Sequence, residues 1–141
     1  MYEITQNVLR EVKKVIVGKD DVIEKIWISI LAQGHVLLED VPGVAKTTMA
    51  LAFSKALGLD TKRVQFTPDV VPSDILGFSI YDNETGNLVY KPGAVMCNLL
   101  LADEINRTSS KTQSALLEVI EERQVSIDGV THALPDPFLV I

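Results

Sequence analysis

Lys46-Thr47-Thr48 follow directly on Val36-Leu37-Leu38-Glu39-Asp40-Val41-Pro42-Gly43-Val44-Ala45, so an ammonium and a hydroxyl stand where an apolar strand would run through a tight loop into a helix. Such a loop is a phosphate cradle. Backbone N–H groups of the loop and helix start point at the phosphates, a lysine reaches the β- and γ-phosphates, and a Ser or Thr hydroxyl ligates Mg²⁺. Lys46 and Thr47 fill the last two roles, and Asp40, Gly43, Val44, Ala45 and Thr48 supply the surrounding contacts. The spacing departs from G-x-x-x-x-G-K-[ST] at both glycines, with Asp40 at the first and Ala45 at the second. Gly43 is left for the sharp turn and Pro42 stiffens the approach. Ala45 keeps its N–H, and near-helical torsions with negative φ are expected there.

A second element must supply the acid. Asn98-Leu99-Leu100-Leu101-Ala102-Asp103-Glu104 reads as a short strand buried on both faces that ends in two adjacent carboxylates. It resembles a Walker B box, in which Asp103 holds Mg²⁺ through water and Glu104 polarises the water that attacks the γ-phosphate. A buried strand followed by an acidic helix cap is the plainer alternative. Two such elements in this order, each at the C-terminal end of a strand, point to a nucleotide-binding α/β domain.

The elements that position these residues are legible from apolar spacing. Ile4, Val8, Leu9, Val12 and Val15-Ile16 recur at helical intervals up to Gly18, and Asp20 or Asp21 can cap a second helix bearing Val22, Ile23, Ile26, Trp27, Ile30 and Leu31. His35 to Glu39 is expected as the first strand, a helix from Lys46 to Leu57 with Gly58 as its stop, and Lys62 to Phe66 as the next strand. Between Thr67 and Cys97, three prolines break the pattern, and Phe78–Tyr81 and Asn87–Tyr90 flank Asp82–Gly86 as a hairpin would. Ser110-Lys111-Thr112-Gln113 offers a capping box for a helix to Glu122. Gln124–Ile127 and Val130–Leu134 then enclose Asp128-Gly129 as a tight hairpin, and Phe138–Ile141 reads as a strand.

At 141 residues, 47% apolar and 23% charged, the chain reads as one globular domain. Its formal charge of -6 argues against binding nucleic acid through a basic surface. Cys97 is the single cysteine, and neither it nor His35 or His132 belongs to a cluster with metal-ligand spacing. No basic leader with an apolar core follows Met1, and no apolar run approaches the length of a membrane span, so a cytoplasmic location is expected.

These residues closely resemble the MoxR family of AAA+ ATPases over nearly the whole chain. The resemblance is carried by Leu38-Glu39-Asp40-Val41-Pro42-Gly43, Gln65-Phe66-Thr67-Pro68-Asp69, Pro72-Ser73-Asp74, Leu101-Ala102-Asp103-Glu104-Ile105-Asn106-Arg107 and Lys111–Glu118. It implies a three-layer αβα P-loop core with a parallel sheet, in which residues 67–97 form the helix-2 insertion. It further implies ATP and ADP as ligands with Mg²⁺, a client protein that is remodelled, activated or loaded with a cofactor, and a homo-oligomeric ring, hexameric in the family. Val17 and Gly18 would lie near the adenine. In the family, a polar sensor-1 residue follows the strand that begins at Phe138, and the arginine finger and helical lid come later. Residues 1–141 would then be part of an AAA+ module, hydrolysing ATP slowly and associating weakly by themselves.

Several side chains have two readings. Arg107 could reach a neighbouring subunit's nucleotide or cap a helix, Asn106 could orient water or cap locally, and Gln65 or Thr67 could couple Glu104 to ligand state or merely end a strand. Two functions are therefore compatible with the motifs: an ATP hydrolase that drives client remodelling, and a nucleotide-binding interaction module with little hydrolysis. Glu104 beside Asp103 favours the hydrolase, since a pure binder needs no water-polarising carboxylate. A small-molecule kinase is disfavoured because no basic lid follows Asp103-Glu104.

Overall fold

The computed structural model of the chain describes residues 1–39 and 45–141. Helices α1 (Tyr2–Val15) and α2 (Asp20–Leu31) each turn an apolar stripe inward, burying Val8 and Val12 from the first and Ile23, Ile26 and Trp27 from the second. The acidic cap expected for α2 is not formed. Asp20 and Asp21 lie inside its first turn, with Lys19 at the N-cap position. Asp20 instead pairs with Lys13 of α1 at 3.3 Å, tying the two helices, while both carboxylates still sit at the positive end of the helix dipole. Helix α3 (Lys46–Leu57) has the predicted bounds, and Gly58 closes it in the left-handed region at φ 65°.

Strand β1 (Thr61–Gln65) follows, and Phe66 extends its pairing through a further backbone bond to Asp103. A short helix α4 (Pro72–Leu76), started by the Val71 N–H donating to the Asp74 carboxylate at 2.9 Å, leads into the hairpin β2 (Gly77–Asp82) and β3 (Asn87–Pro92). Asp82 organises the hairpin turn by accepting from the Glu84 N–H (3.0 Å) and the Thr85 hydroxyl (2.7 Å), and these bonds hold its carboxyl below the usual range. The seam between α4 and this hairpin is tight. A side chain on Gly93 would meet the backbone of Ile75 in α4 and of Gly77, and one on Gly77 would meet the backbone of Lys91 and Gly93 at the end of β3.

Strand β4 (Leu99–Asp103) pairs in parallel with β1 on one side and with β7 (Leu139–Val140) on the other. Its alternation divides the interior. Leu99 and Leu101 join the core built by α1, α2 and α3, whereas Leu100 joins Phe66, Ile75, Val95 and the buried face of α5 (Ser110–Glu122). The sheet therefore lies between two apolar layers, giving the expected three-layer αβα arrangement. Each fully covered leucine of β4 contributes roughly 1.5–3 kcal/mol of burial, which is why the run reads as uniformly apolar. Hairpin β5 (Gln124–Ile127) and β6 (Val130–Ala133) turns through Asp128 and Gly129, both at positive φ as a tight hairpin requires.

Two further expectations need correction. Helix α5 is capped by Ser109, not by a box starting at Ser110: the Ser109 hydroxyl accepts the Thr112 N–H at 3.3 Å. Gln113 is thereby released from capping and donates to the Ile105 carbonyl at 3.0 Å. Residues His35 to Glu39 do not form a ladder strand. Val36 gives one backbone bond to Val140 (3.0 Å), but the Val140 N–H is taken by His35 Nδ1 at 3.0 Å, so the imidazole replaces a carbonyl where a ladder would continue. Burial and then nearby Arg123 hold the His35 imidazole below its usual pKa. Among the described residues, no helix is long and apolar enough to cross a membrane.

Candidate functional site

The C-terminal end of β4 and the N-terminal end of α3 face one cavity of about 440 Å³. Lys46 and Thr47 enter it from the first turn of α3, and Asp103 and Glu104 from the end of β4. Leu101 and Ala102 of β4, together with Leu37, Leu38, Glu39, Ile105, Asn106 and Ile141, also line it. The two motifs, far apart along the chain, are thus brought together by the packing of α3 against β4. Lys46 and Thr47 are half-buried, Asp103 is half-buried, and Glu104 is exposed.

The two carboxylates are held differently. Asp103 is the last ladder residue: its carbonyl accepts the Phe66 N–H at 2.8 Å, fixing the backbone, while Oδ2 receives Arg63 Nη2 at 2.6 Å. Glu104 leaves the strand in the left-handed region at φ 58° and ψ 43°, an unfavourable conformation for a residue with a Cβ that costs about 1–2 kcal/mol. That kink turns the chain into a 3₁₀ turn over Ile105–Arg107. The turn is anchored at both ends, by the Arg107 N–H on the Glu104 carbonyl (3.0 Å) and by Gln113 of α5 on the Ile105 carbonyl. Glu104 makes no side-chain hydrogen bond among the described residues, which leaves its carboxylate available to a ligand or water in the cavity.

Ala45 departs from expectation. Its φ is 28° and its ψ 20°, not the negative φ of a near-helical residue. Its carbonyl already accepts the Met49 N–H at 2.8 Å, so the residue serves as the helix's first acceptor. Asp40, Gly43 and Val44 lie outside the described residues. Thr48 is exposed and does not line the cavity. Val17 and Gly18, in the α1–α2 loop, do not line it either, and Val17 is almost fully exposed. Asn106 does line it, whereas the exposed Arg107 does not. Gln65 lies in register with Asp103 and accepts from Arg63 at 3.4 Å, while Thr67 accepts the Asp69 N–H within its own loop.

Arg63 is the site residue that sequence reading missed. The signal was available: in a parallel pairing of β1 with β4, Arg63 and Gln65 share a face two residues apart, and Gln65 is the partner of Asp103. Cys97, by contrast, is fully buried with its thiol pushed up to about 11 by burial, which suits a packing residue and not a nucleophile.

The donor set fits a metal-bound nucleotide. A helix start with a lysine suits phosphate, and a threonine hydroxyl with a carboxylate suits a hard cation. The described residues hold no group of three or more His, Cys, Asp or Glu side chains able to bind a cation alone.

Comparison with known proteins agrees. The family described as ATPase family associated with various cellular activities (AAA) matches residues 35–141. The chain is 52% identical over 131 residues to the chaperone MoxR1 of Mycobacterium tuberculosis, covering 93% of this chain and 35% of that protein. It is also 52% identical over its full 141 residues to the protein YeaC of Bacillus subtilis, of which it covers 44%. A crystal structure of a putative ATPase from Cytophaga hutchinsonii superposes with a TM-score of 0.85 at 47% identity, covering 98% of this chain and 42% of the other. The chain spans less than half the length of each of these relatives. With its αβα core and its paired lysine-threonine and aspartate-glutamate ends, it belongs to the MoxR family of AAA+ ATPases.

Proposed function

We propose that this chain binds ATP with Mg²⁺ and carries the hydrolytic carboxylate of an ATPase that drives remodelling, activation or cofactor loading of a client protein. The observation behind this reading is the convergence of Lys46, Thr47, Asp103 and Glu104 on one cavity. In it, the Lys46 ammonium holds the β- and γ-phosphates against the amides that begin α3, and the Thr47 hydroxyl and the Asp103 carboxylate hold the metal. Mg²⁺, when bound, neutralises charge that develops on the phosphate oxygens. Glu104, aimed by its left-handed kink and unbonded to other side chains, accepts a proton from the attacking water. The name of the chaperone MoxR1 supports a client protein, and membership of the family supports assembly into rings.

Calorimetric titration with ATP·Mg²⁺ tests the cradle. Lys46→Ala removes a charge-assisted contact worth about 1.5–3 kcal/mol, so affinity should fall at least about tenfold. Equal affinities for the two proteins would remove the basis of the reading.

A further inference from the structure

The ion pair between Arg63 and Asp103 places a cation where the reading above puts a metal ligand. Its shortest approach, Nη2 to Oδ2, is 2.6 Å, and the same guanidinium nitrogen also donates to Gln65 Oε1 at 3.4 Å. Arg63 is supplied by β1, not by the lysine–threonine element, and belongs to neither of the two motifs. Asp103 is only 29% exposed, so its charge is not simply dissolved in water. Arg63 is anchored by strand register, with Gln65 opposite Asp103 and Arg63 opposite Leu101, so its side chain reaches the carboxylate diagonally along one face of the sheet.

We infer that Arg63 is a positioning residue for the metal site: it serves as the counter-ion of Asp103 in the nucleotide-free protein and competes with the metal for that carboxylate. The inference rests on the proposed metal role of Asp103. A divalent cation arriving alone meets a carboxylate already neutralised and a positive charge beside it, so it gains little by displacing Arg63. A cation arriving with a triphosphate brings its own anionic ligands and can displace the guanidinium, but breaking the pair still subtracts from what the metal gains at Asp103. Arg63 thereby lowers the factor by which the metal tightens nucleotide binding.

The consequence is measurable without turnover, as the factor by which Mg²⁺ tightens nucleotide binding. A fluorescent ATP analogue is titrated into the folded protein with excess EDTA and again with Mg²⁺, and the ratio of the two dissociation constants is taken. Because the guanidinium is about half exposed, the pair is worth about two- to fivefold in such an equilibrium, not more. Arg63→Gln should raise the ratio by that amount. Arg63→Met, which keeps the apolar stem, should do the same if the glutamine variant folds poorly. Arg63→Lys, which keeps the charge, should stay near the wild-type ratio. An unchanged or lower ratio in the Gln and Met variants overturns the counter-ion role, and so does a Lys variant that behaves like Gln. Asp103→Asn separates this failure from that of the parent reading. If it collapses the Mg²⁺ ratio while Arg63→Gln leaves it unmoved, only Arg63's role falls. If Asp103→Asn keeps the wild-type ratio, the metal role of Asp103 falls and the inference with it.

Discussion

Replacing Gly77 with Ala probes whether the start of β2 closes on the end of β3 as tightly as the structure has it. A Cβ on Gly77 would stand 2.3 Å from the Lys91 carbonyl oxygen and 2.8 Å from the Gly93 nitrogen, both backbone atoms that no rotamer change can move. The shorter distance is about 1 Å inside van der Waals contact, so one segment must shift, and overpacking of this kind costs about 1–3 kcal/mol. The backbone at φ 91° and ψ -177° lies in a region populated almost only by glycine and adds about 1–3 kcal/mol for a residue with a Cβ. Loss of freedom in the unfolded chain returns about 0.4–1 kcal/mol. The net expectation is a destabilisation of about 2–4 kcal/mol, a large share of the roughly 5–15 kcal/mol typical of a domain. Gly58 supplies the control: at φ 65° with nothing within 4 Å of an added methyl group, Gly58→Ala should carry the backbone cost alone. Urea unfolding followed by far-UV circular dichroism and by Trp27 fluorescence would give both values. If Gly77→Ala lost no more stability than Gly58→Ala, the close approach of Gly77 to the end of β3 would be wrong.

Three other expectations concern the site and its supports. Glu104→Gln should hold ATP·Mg²⁺ with near wild-type affinity while any measurable turnover falls by about 10²–10⁴-fold, as for loss of a general base; normal turnover would reduce Glu104 to a turn residue. Ala45→Gly should stabilise the protein or leave it unchanged, because relief of about 1–2 kcal/mol of backbone cost at φ 28° outweighs or balances the added unfolded-state freedom; a loss above about 1 kcal/mol in thermal unfolding would show that this torsion is not strained. His35, whose imidazole is held below its usual pKa by burial and by Arg123, binds fewer protons folded than unfolded, so its contribution is complete above about pH 6.5 and is lost as pH falls from there toward the depressed folded value. Urea midpoints should therefore decline more steeply from about pH 7 to 5 in the wild type than in His35→Gln, and parallel declines would refute the coupling.

The sequence made the apolar periodicities plain, and these carried most of the architecture. Helix α3 ran from Lys46 to Leu57 as spacing predicted, and the three-leucine run of β4 proved buried on both sides because a parallel sheet covers both faces. What misled was local polar chemistry. Asp20 or Asp21 and Ser110 were expected as caps, but Lys13 holds Asp20 in the first turn of α2, and capping by Ser109 leaves Gln113 to secure the turn after Glu104. His35 was invisible as a backbone substitute, since no periodicity announces a side chain that takes a ladder's bond. At the site, Lys46, Thr47, Asp103 and Glu104, singled out by spacing, line one cavity, but Arg63 needed the register of β1 against β4, which is a property of pairing and not of either strand. The positive φ of Ala45 and Glu104 was equally hidden, because nothing in either residue type favours it.

The placement of β4 at the centre of the sheet also sets the order in which the molecule can be built. Its partners lie roughly forty residues away on either side, so both parallel pairings must close long loops, whereas the hairpins β2–β3 and β5–β6 close locally on about the microsecond scale. For that interval Asn98–Ala102 is an uncharged, leucine-rich segment without cover, the composition that favours intermolecular strand pairing. Asp103 and Glu104, two negative charges at its end, act there as gatekeepers against self-association. The carboxylates proposed for metal and water chemistry thus have a second duty during folding, and their amide variants should refold with more aggregation even where the native site tolerates them.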